Sequence, residues 1–231
     1  MINSFEDREY DPKRLIQAYE SASNILKTLT QFTAHEALHL DYENTQLFGP
    51  PDQRYCHSSH MLWVGNRTRQ LDSVHLDFAS KIRNPTAIKI GPCCKSEDFL
   101  KLLKKFADRR ILLISRFGKE IAKLEPLLRI SREKNVMWVC DPMHGNTLVQ
   151  NGQKLRFVDD LIEEIEATCE LHRRSGTLLS GIHLECSPFC YLECLDNIKD
   201  SRSIKSTSLC DPRLNEMQTA QILTHFSESF Y

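Results

Sequence analysis

Apolar and polar residues alternate along the chain in blocks that predict strands separated by helices. Six short apolar runs predict strands at 61–64, 86–90, 111–114, 136–140, 178–184 and 206–210. Between most of them, apolar residues spaced three and four apart predict helices near 70–82, 97–109, 118–133 and 156–175, with a final helix at 214–229. Continuous apolar strands that alternate with helices are typical of an α/β fold whose parallel sheet is covered by helices.

The first sixty residues follow a different pattern. Residues 12–32 carry an apolar stripe at helical spacing, and Asp11-Pro12 is a favourable helix start. Residues 33–59 look irregular, with a loop at 48–53. We therefore expect an N-terminal helical segment at 1–34 and an α/β domain at 35–231. Periodicity leaves open whether the sheet is open or closed into a barrel, although no glycine-rich phosphate loop follows the first strand.

Composition excludes several classes of function. The net charge of -1 over 231 residues argues against nucleic acid or a membrane surface as a partner. No apolar run approaches the roughly 18 residues of a spanning helix, and we expect no signal peptide at the charged N-terminus. The nine cysteines are scattered and odd in number, which favours reduced thiols. We expect a cytoplasmic protein.

Three metal-ligand residue types follow the ends of predicted strands. His144 lies in the segment 141–146, directly after the strand 136–140, while Glu185 and Asp211 end the next two strand segments. Taken singly, His144 is more often a hydrogen-bonded loop residue, and the two carboxylates could cap helices. The ends of parallel strands meet at one mouth, so the three together favour a divalent-metal site. His183 would lie beside this site as a neighbour of the ligands.

Cations also follow strand ends, in the first half of the sheet. Lys89 could extend to solvent from the end of its strand, and Arg67 or Arg116 alone could be a solvated loop residue. Three cations on successive parallel strands would converge on one mouth. Such a cluster suits a substrate that carries both phosphate and carboxylate.

Several segments resemble class II 3-deoxy-D-arabino-heptulosonate 7-phosphate (DAHP) synthase. They occur in the family's order, at 59–65 (SHMLWVG), 67–72 (RTRQLD), 83–85 (RNP), 89–92 (KIGP), 141–146 (DPMHGN), 180–185 (SGIHLE) and 210–215 (CDPRLN). The segment 35–38 resembles a further family segment, and residues 3–29 resemble its helical insertion. The resemblance implies a (β/α)8 TIM barrel, here incomplete with about six βα units.

The resemblance also implies an activity, in which phosphoenolpyruvate condenses with erythrose 4-phosphate and phosphate is released. This is the first step of the shikimate pathway to chorismate and the aromatic amino acids. By the family pattern, His144, Glu185 and Asp211 would bind a divalent metal, Mn²⁺ or Co²⁺. Asn66, Arg67, Lys89 and Arg116 would hold phosphoenolpyruvate, and Lys89 and His144 would be catalytic.

Departures from the family pattern keep more than one hypothesis open. The family is longer, and its first barrel strands, a cysteine metal ligand, an arginine for phosphoenolpyruvate and a Lys-Pro-Arg segment have no counterpart in these 231 residues. Asn66 stands where the family has Glu, which is tolerable only if the backbone N–H carries that role. We expect a truncated barrel with unpaired edges.

Three hypotheses follow from this. The chain is a synthase part, completed by a homo-oligomer or a complementing N-terminal chain. Alternatively it is an inactive remnant or regulatory subunit that retains metal and phosphoenolpyruvate binding. A weaker third alternative is another metal-dependent aldolase.

Overall fold

The structure, a computed structural model, describes residues 11–196 and 208–230. Its strands are β1 (Ala34–Glu36), β2 (Leu47–Phe48), β3 (Tyr55–Cys56), β4 (Met61–Val64), β5 (Thr86–Ile90), β6 (Ile111–Ser115), β7 (Val136–Cys140), β8 (Leu148–Gln150), β9 (Gln153–Phe157), β10 (Leu179–Ile182) and β11 (Cys194–Leu195). Its helices are α1 (Lys13–Thr28), α2 (Leu40–Thr45), α3 (Val74–Lys81), α4 (Ser96–Lys105), α5 (Glu125–Ser131), α6 (Pro142–Gly145), α7 (Val158–Ser175) and α8 (Glu216–Phe230), and a 3-10 helix spans Gly118–Leu124. None of the described helices is long and apolar enough to cross a membrane.

Six parallel strands form the main sheet, in the order β1-β4-β5-β6-β7-β10. The central strands are the most buried, and all five residues of β5 are buried. Helices α4, α5 and α7 cover one face, where Phe99, Leu128 and Ile165 join the core around Trp138. Within the described residues β1 and β10 do not pair with each other. The sheet is therefore open in the described part of the chain and compatible with an incomplete (β/α) barrel.

The four central predicted strands, at 61–64, 86–90, 111–114 and 136–140, are confirmed, and the run 178–184 contains β10. The strand predicted at 206–210 is wrong where it can be checked: 206 and 207 lie outside the described residues, and Ser208–Cys210 form no strand. There the Ser208 hydroxyl accepts a hydrogen bond from the backbone N–H of Cys210, which turns the chain locally. The sixth strand of the sheet is instead β1.

Residues 33–59 were expected to be irregular, and this expectation was also wrong. They hold β1, α2, β2 and β3, which are organised around the buried carboxylate of Glu43. That carboxylate lies 2.7 Å from His35 Nε2 and accepts a hydrogen bond of 2.6 Å from the Ser58 hydroxyl. These partners are distant in sequence, so no local periodicity announces them.

The helix predicted at 156–175 begins two residues later, because a β-hairpin precedes it. Strands β8 and β9 pair antiparallel across Asn151-Gly152, both of which have positive φ (51° and 77°). Asn-Gly is a strong local signal for this turn and was visible in the sequence. The other predicted helices are confirmed with bounds that differ by up to four residues, except that 118–133 is divided between the 3-10 helix and α5.

Helix α1 confirms the predicted N-terminal helix over residues 13–28 and buries no side chain. Residues 1–10, which include part of the segment compared with the family's insertion, lie outside the described residues. The boundary at residue 34 stays a prediction.

Candidate metal and anion site

The end of β7 fixes the orientation of His144. Asp141 caps the short helix α6 by accepting hydrogen bonds from the backbone N–H groups of Met143 (3.1 Å) and His144 (3.2 Å). The same carboxylate lies 2.7 Å from His144 Nδ1. Because Nδ1–H donates to Asp141, the lone pair of Nε2 is left for a ligand.

Glu185 and Asp211 are brought together by a short parallel pairing that follows β10. The N–H of Leu214 donates to the carbonyl of Glu185 (2.9 Å), and the N–H of Ser187 donates to the carbonyl of Leu214 (2.8 Å). The ligand atoms of His144, Glu185 and Asp211 all lie within 4.8 Å of one another. One imidazole nitrogen and two carboxylate oxygens at this spacing fit a divalent transition metal. The three predicted ligands therefore converge.

Arg156 lies behind these carboxylates and is fully buried. Its Nη1 donates to Glu185 Oε2 and to the carbonyl of Pro212, each at 2.6 Å, and its Nε donates to Thr147 Oγ1 at 2.9 Å. Its Nη2 lies 3.8 Å from Asp211 Oδ2. One buried cation thus donates a hydrogen bond to Glu185 and lies within 4 Å of Asp211 without a hydrogen bond to it.

Two cations that are less buried than Arg156 also contact these carboxylates. Arg213 lies 3.1 Å from Glu185 Oε1, and Lys154 lies 2.5 Å from Asp211 Oδ1. Burial raises the pKa of Asp211, but the hydrogen bond and charge of Lys154 and the charge of Arg156 outweigh it, so the pKa lies below its usual range. Asp211 therefore stays ionised and able to bind a cation.

Lys89 does not extend to solvent. Its side chain is buried, with Nζ 2.8 Å from Asp141 Oδ2, 3.4 Å from His144 Nδ1 and 5.5 Å from the centre of the Trp63 ring. Burial raises the pKa of Asp141, but the His144 hydrogen bond and the charges of His144 and Lys89 hold it well below its usual range. The ammonium group therefore joins the predicted anion site to the predicted metal ligands.

Arg116 lies at the same mouth, and Arg67 is further out. Arg116 Nη2 donates to the carbonyl of His144 (2.6 Å), while its buried Nε has no partner among the described residues. Arg67 is exposed. Asn66 accepts hydrogen bonds at 3.0 Å from the N–H of Gly91 and from Arg69 Nε, so its side chain ties the loop after β4 to the loop after β5.

His183 lies beside the site, as the sequence predicted. Its N–H donates to the carbonyl of Cys140 (2.7 Å), and its ring packs edge-on against Trp63. Burial lowers its pKa, since the charged form is poorly solvated there. The ring is therefore favoured as neutral.

Sequence reasoning missed three residues that organise the site. Asp141 was in view within the segment 141–146, but its contact with Lys89 joins residues 52 positions apart. Arg156 and Glu164 carried no signal, because an arginine in a strand and a glutamate in a helix are usually solvated.

Comparison with known proteins supports the resemblance. The family model described as the Class-II DAHP synthetase family matches residues 20–226. The chain is 37% identical over 228 residues to "Phospho-2-dehydro-3-deoxyheptonate aldolase" of Neurospora crassa, covering 85% of this chain and 47% of that protein. It is also 37% identical over 221 residues to the protein of that name from Streptomyces coelicolor (88% and 49% covered).

A protein of Pseudomonas fluorescens named "Probable phospho-2-dehydro-3-deoxyheptonate aldolase" is 35% identical over 237 residues (91% and 59% covered). The chain thus spans about half the length of the curated relatives it matches.

Proposed function

Because this chain belongs to the Class-II DAHP synthetase family, we propose that it takes part in DAHP synthesis, the first step of the shikimate pathway. In that reaction the CH₂ carbon of phosphoenolpyruvate bonds to the aldehyde carbon of erythrose 4-phosphate. Water adds at the neighbouring enol carbon, and inorganic phosphate leaves from it. The observation that carries the proposal is the convergence of His144, Glu185 and Asp211 beside buried Lys89.

His144 Nε2 and one oxygen each of Glu185 and Asp211 are proposed to hold the metal, with Mn²⁺ or Co²⁺ suited to this mixed nitrogen and oxygen set. The metal would supply Lewis-acid polarisation of the substrate aldehyde. Asp141 keeps the imidazole in the required tautomer, and Arg156 keeps the two carboxylates at ligand spacing.

The cations are proposed to bind phosphoenolpyruvate. Arg116 has an unpartnered buried N–H that can donate to a phosphate or carboxylate oxygen, and Lys89 supplies an ammonium group in a site shielded from water. The exposed Arg67 would close over the substrate, with Asn66 holding the loop that carries it. The substrate is thereby oriented with its CH₂ carbon towards the aldehyde.

A second candidate is a chain that binds metal and phosphoenolpyruvate but turns over only with a complementing chain or a second copy. The observation that favours it is the open sheet, in which β1 and β10 each present an unpaired parallel edge among the described residues.

All nine cysteines are free, and we propose the reducing cytoplasm as the compartment.

Turnover distinguishes these candidates. We would measure loss of phosphoenolpyruvate on adding erythrose 4-phosphate and Mn²⁺ to the purified chain, with chelator and His144→Ala controls. Metal-dependent turnover that the substitution abolishes supports the synthase. Mn²⁺ binding that depends on His144, without turnover, supports the second candidate, and absence of both refutes the proposal.

A further inference from the structure

Glu164 is a buried carboxylate on helix α7, which packs against α6 and the 3-10 helix. Its Oε1 accepts a hydrogen bond of 2.7 Å from the backbone N–H of Phe117, and the N–H of Gly118 also donates to this carboxylate. These N–H groups directly follow Arg116, at the start of the 3-10 helix. One carboxylate therefore fixes the backbone that carries the predicted anion-binding arginine.

The other oxygen of Glu164 holds the segment that carries His144. Oε2 accepts a hydrogen bond of 2.8 Å from Asn146 Nδ2, and the same amide donates to the carbonyl of Pro142 at 2.9 Å. Glu164 thus contacts the backbone on one side of the site and a side chain two residues beyond the metal-ligand histidine on the other.

The two segments also touch each other directly. A Cβ atom on Gly145 would lie 2.5 Å from the nitrogen of Gly118, and one on Gly118, whose φ is +54°, would lie 2.4 Å from the carbonyl oxygen of Gly145. Only glycine permits this approach. Arg116 adds its hydrogen bond to the carbonyl of His144. The segments 116–118 and 144–146 therefore form one packed unit with Glu164 beneath it.

The hydrogen-bond donors to this carboxylate carry no charge. Among the described residues Glu164 takes part in no ion pair, and all the donors it contacts are neutral amides. Burying a carboxylate without an opposite charge is unfavourable, and burial raises its pKa to about 7 against the opposing hydrogen bonds. Stability alone would favour an apolar side chain here, so the hydrogen-bonding geometry is what Glu164 supplies.

We propose that Glu164 is a positioning residue that couples the Arg116 segment to the His144 segment. The guanidinium group that would bind phosphoenolpyruvate and the imidazole that would bind the metal are then set at a fixed separation before either ligand arrives. This inference rests on the proposed function, since it assigns that site a device for coupling its two ligands. Glu164 acts through Phe117, Gly118 and Asn146 and touches neither ligand.

Glu164→Gln tests the inference with little change of volume. The amide keeps one acceptor but turns an NH₂ group towards a donor, so one of the two segments is released. Relative to the matched variant Glu163→Gln, whose parent side chain is exposed on the same helix, we expect phosphoenolpyruvate to bind about tenfold more weakly in the presence of Mn²⁺. Mn²⁺ itself should bind about threefold more weakly. Equal affinities in the two variants would overturn the inference.

A double-mutant cycle separates positioning from a general loss of stability. If Glu164 acts through Arg116, the double variant Glu164→Gln/Arg116→Lys will lose less phosphoenolpyruvate affinity than the product of the fold losses of the two single variants. A merely structural role would give independent effects on affinity, and that result would also overturn the inference.

If the unaltered chain binds neither ligand, the proposed function is refuted, but the positioning role of Glu164 can still be tested by hydrogen exchange. Glu164→Gln should then speed amide exchange at Phe117 and Gly118 and at residues 144–146, while the sheet is unaffected. Unchanged exchange at these amides would count against the inference.

Discussion

The two sides of the segment 141–146 each bury one carboxylate, and they treat it in opposite ways. On the Lys89 side, Asp141 has an ammonium group 2.8 Å away and an imidazole at 2.7 Å, and its pKa is held well below the usual range. On the α7 side, burial raises the pKa of Glu164 to about 7, because its donors are neutral. Burial raises the pKa of both carboxylates, so burial alone does not explain the difference between them. The charge of the partners does.

The contrast extends to what each side can do. The Asp141 side is ionised and compensated, so it can fix a tautomer and hold a cation in place without changing state near neutral pH. The Glu164 carboxyl group has a pKa of about 7, and what it contributes is the position of the backbone and side-chain groups that donate to it. His172 follows the same rule: it forms no ion pair with any residue that the structure describes, and burial lowers its pKa to about 4.

Asp141→Asn should have the largest effect of the substitutions that break this contrast. It leaves the buried ammonium group of Lys89 uncompensated, which we expect to reduce the free energy of unfolding by about 3–5 kcal/mol. It also removes the group that orients His144, so Mn²⁺ affinity should fall by about 10–100-fold. Urea unfolding and Mn²⁺ titration measure these effects, with the exposed-site variant Asp52→Asn as control. A loss of stability no greater than that of the control would contradict the assignment.

Glu164→Gln should alter the dependence of stability on pH. The folded-state pKa of about 7 lies above the ordinary 4.5, so the folded chain binds this proton more tightly than the unfolded one. The associated stability is complete below pH 4.5 and is lost as pH rises to 7, by up to about 3 kcal/mol.

Glutamine does not titrate, so Glu164→Gln lacks this pH-dependent loss of stability. The free energy of unfolding of the variant, relative to that of the unaltered chain, should therefore be higher at pH 8 than at pH 5. Urea unfolding at both pH values measures the difference. If that difference does not change with pH, the raised pKa is refuted.

Arg156→Met should cost about 2 kcal/mol, because it leaves Glu185 and the carbonyl of Pro212 without their buried donor. The carboxylates then repel one another until a cation arrives, so saturating Mn²⁺ should restore part of the loss. Thermal unfolding with and without Mn²⁺ measures this. An equal loss in both conditions would show that Arg156 does not set the spacing of the ligands.

Lys154→Ala should have the smallest effect. Lys154 donates a hydrogen bond to Asp211, but more than half of its side chain is exposed (56%), so water replaces the lost contact. We expect a change below about 1 kcal/mol in the free energy of unfolding in urea. If Lys154→Ala lowered the free energy of unfolding as much as Arg156→Met does, the burial of a cation would not determine how much it stabilises this site.

The sequence predicted what depends on local pattern and missed what depends on distant partners. The run Thr86–Ile90 identified a strand and placed Lys89 near its end, but only the packed structure turns that side chain towards Asp141. The three residues of β1 are too few to show a period, so the sequence pattern does not identify this strand. The Asn151-Gly152 turn lies before the predicted helix 156–175 and has the local sequence of a hairpin, although no hairpin is among the predicted elements.

The site followed the same division. The ends of parallel strands justify grouping His144 with Glu185, but Asp211 follows no strand in the described part of the chain. It reaches the site through the pairing of Leu214 with Glu185, and the ligand atoms of all three residues lie within 4.8 Å of one another. Their hydrogen-bonded supports, Arg156 and Glu164, could not be found this way. A charged side chain can be buried only where partners compensate it, and those partners lie up to 56 residues away in the chain.

Arg156 also bears on the order in which the protein folds. Its two shortest contacts close loops of 29 and 56 residues, so the entropy of loop closure delays them relative to pairing of the neighbouring strands β5, β6 and β7. We expect these contacts to be absent from the folding transition state, which gives substitutions at Arg156 a φ-value near zero. Arg156→Met would then leave the refolding rate unchanged and accelerate unfolding, so this one guanidinium group governs the lifetime of the folded site.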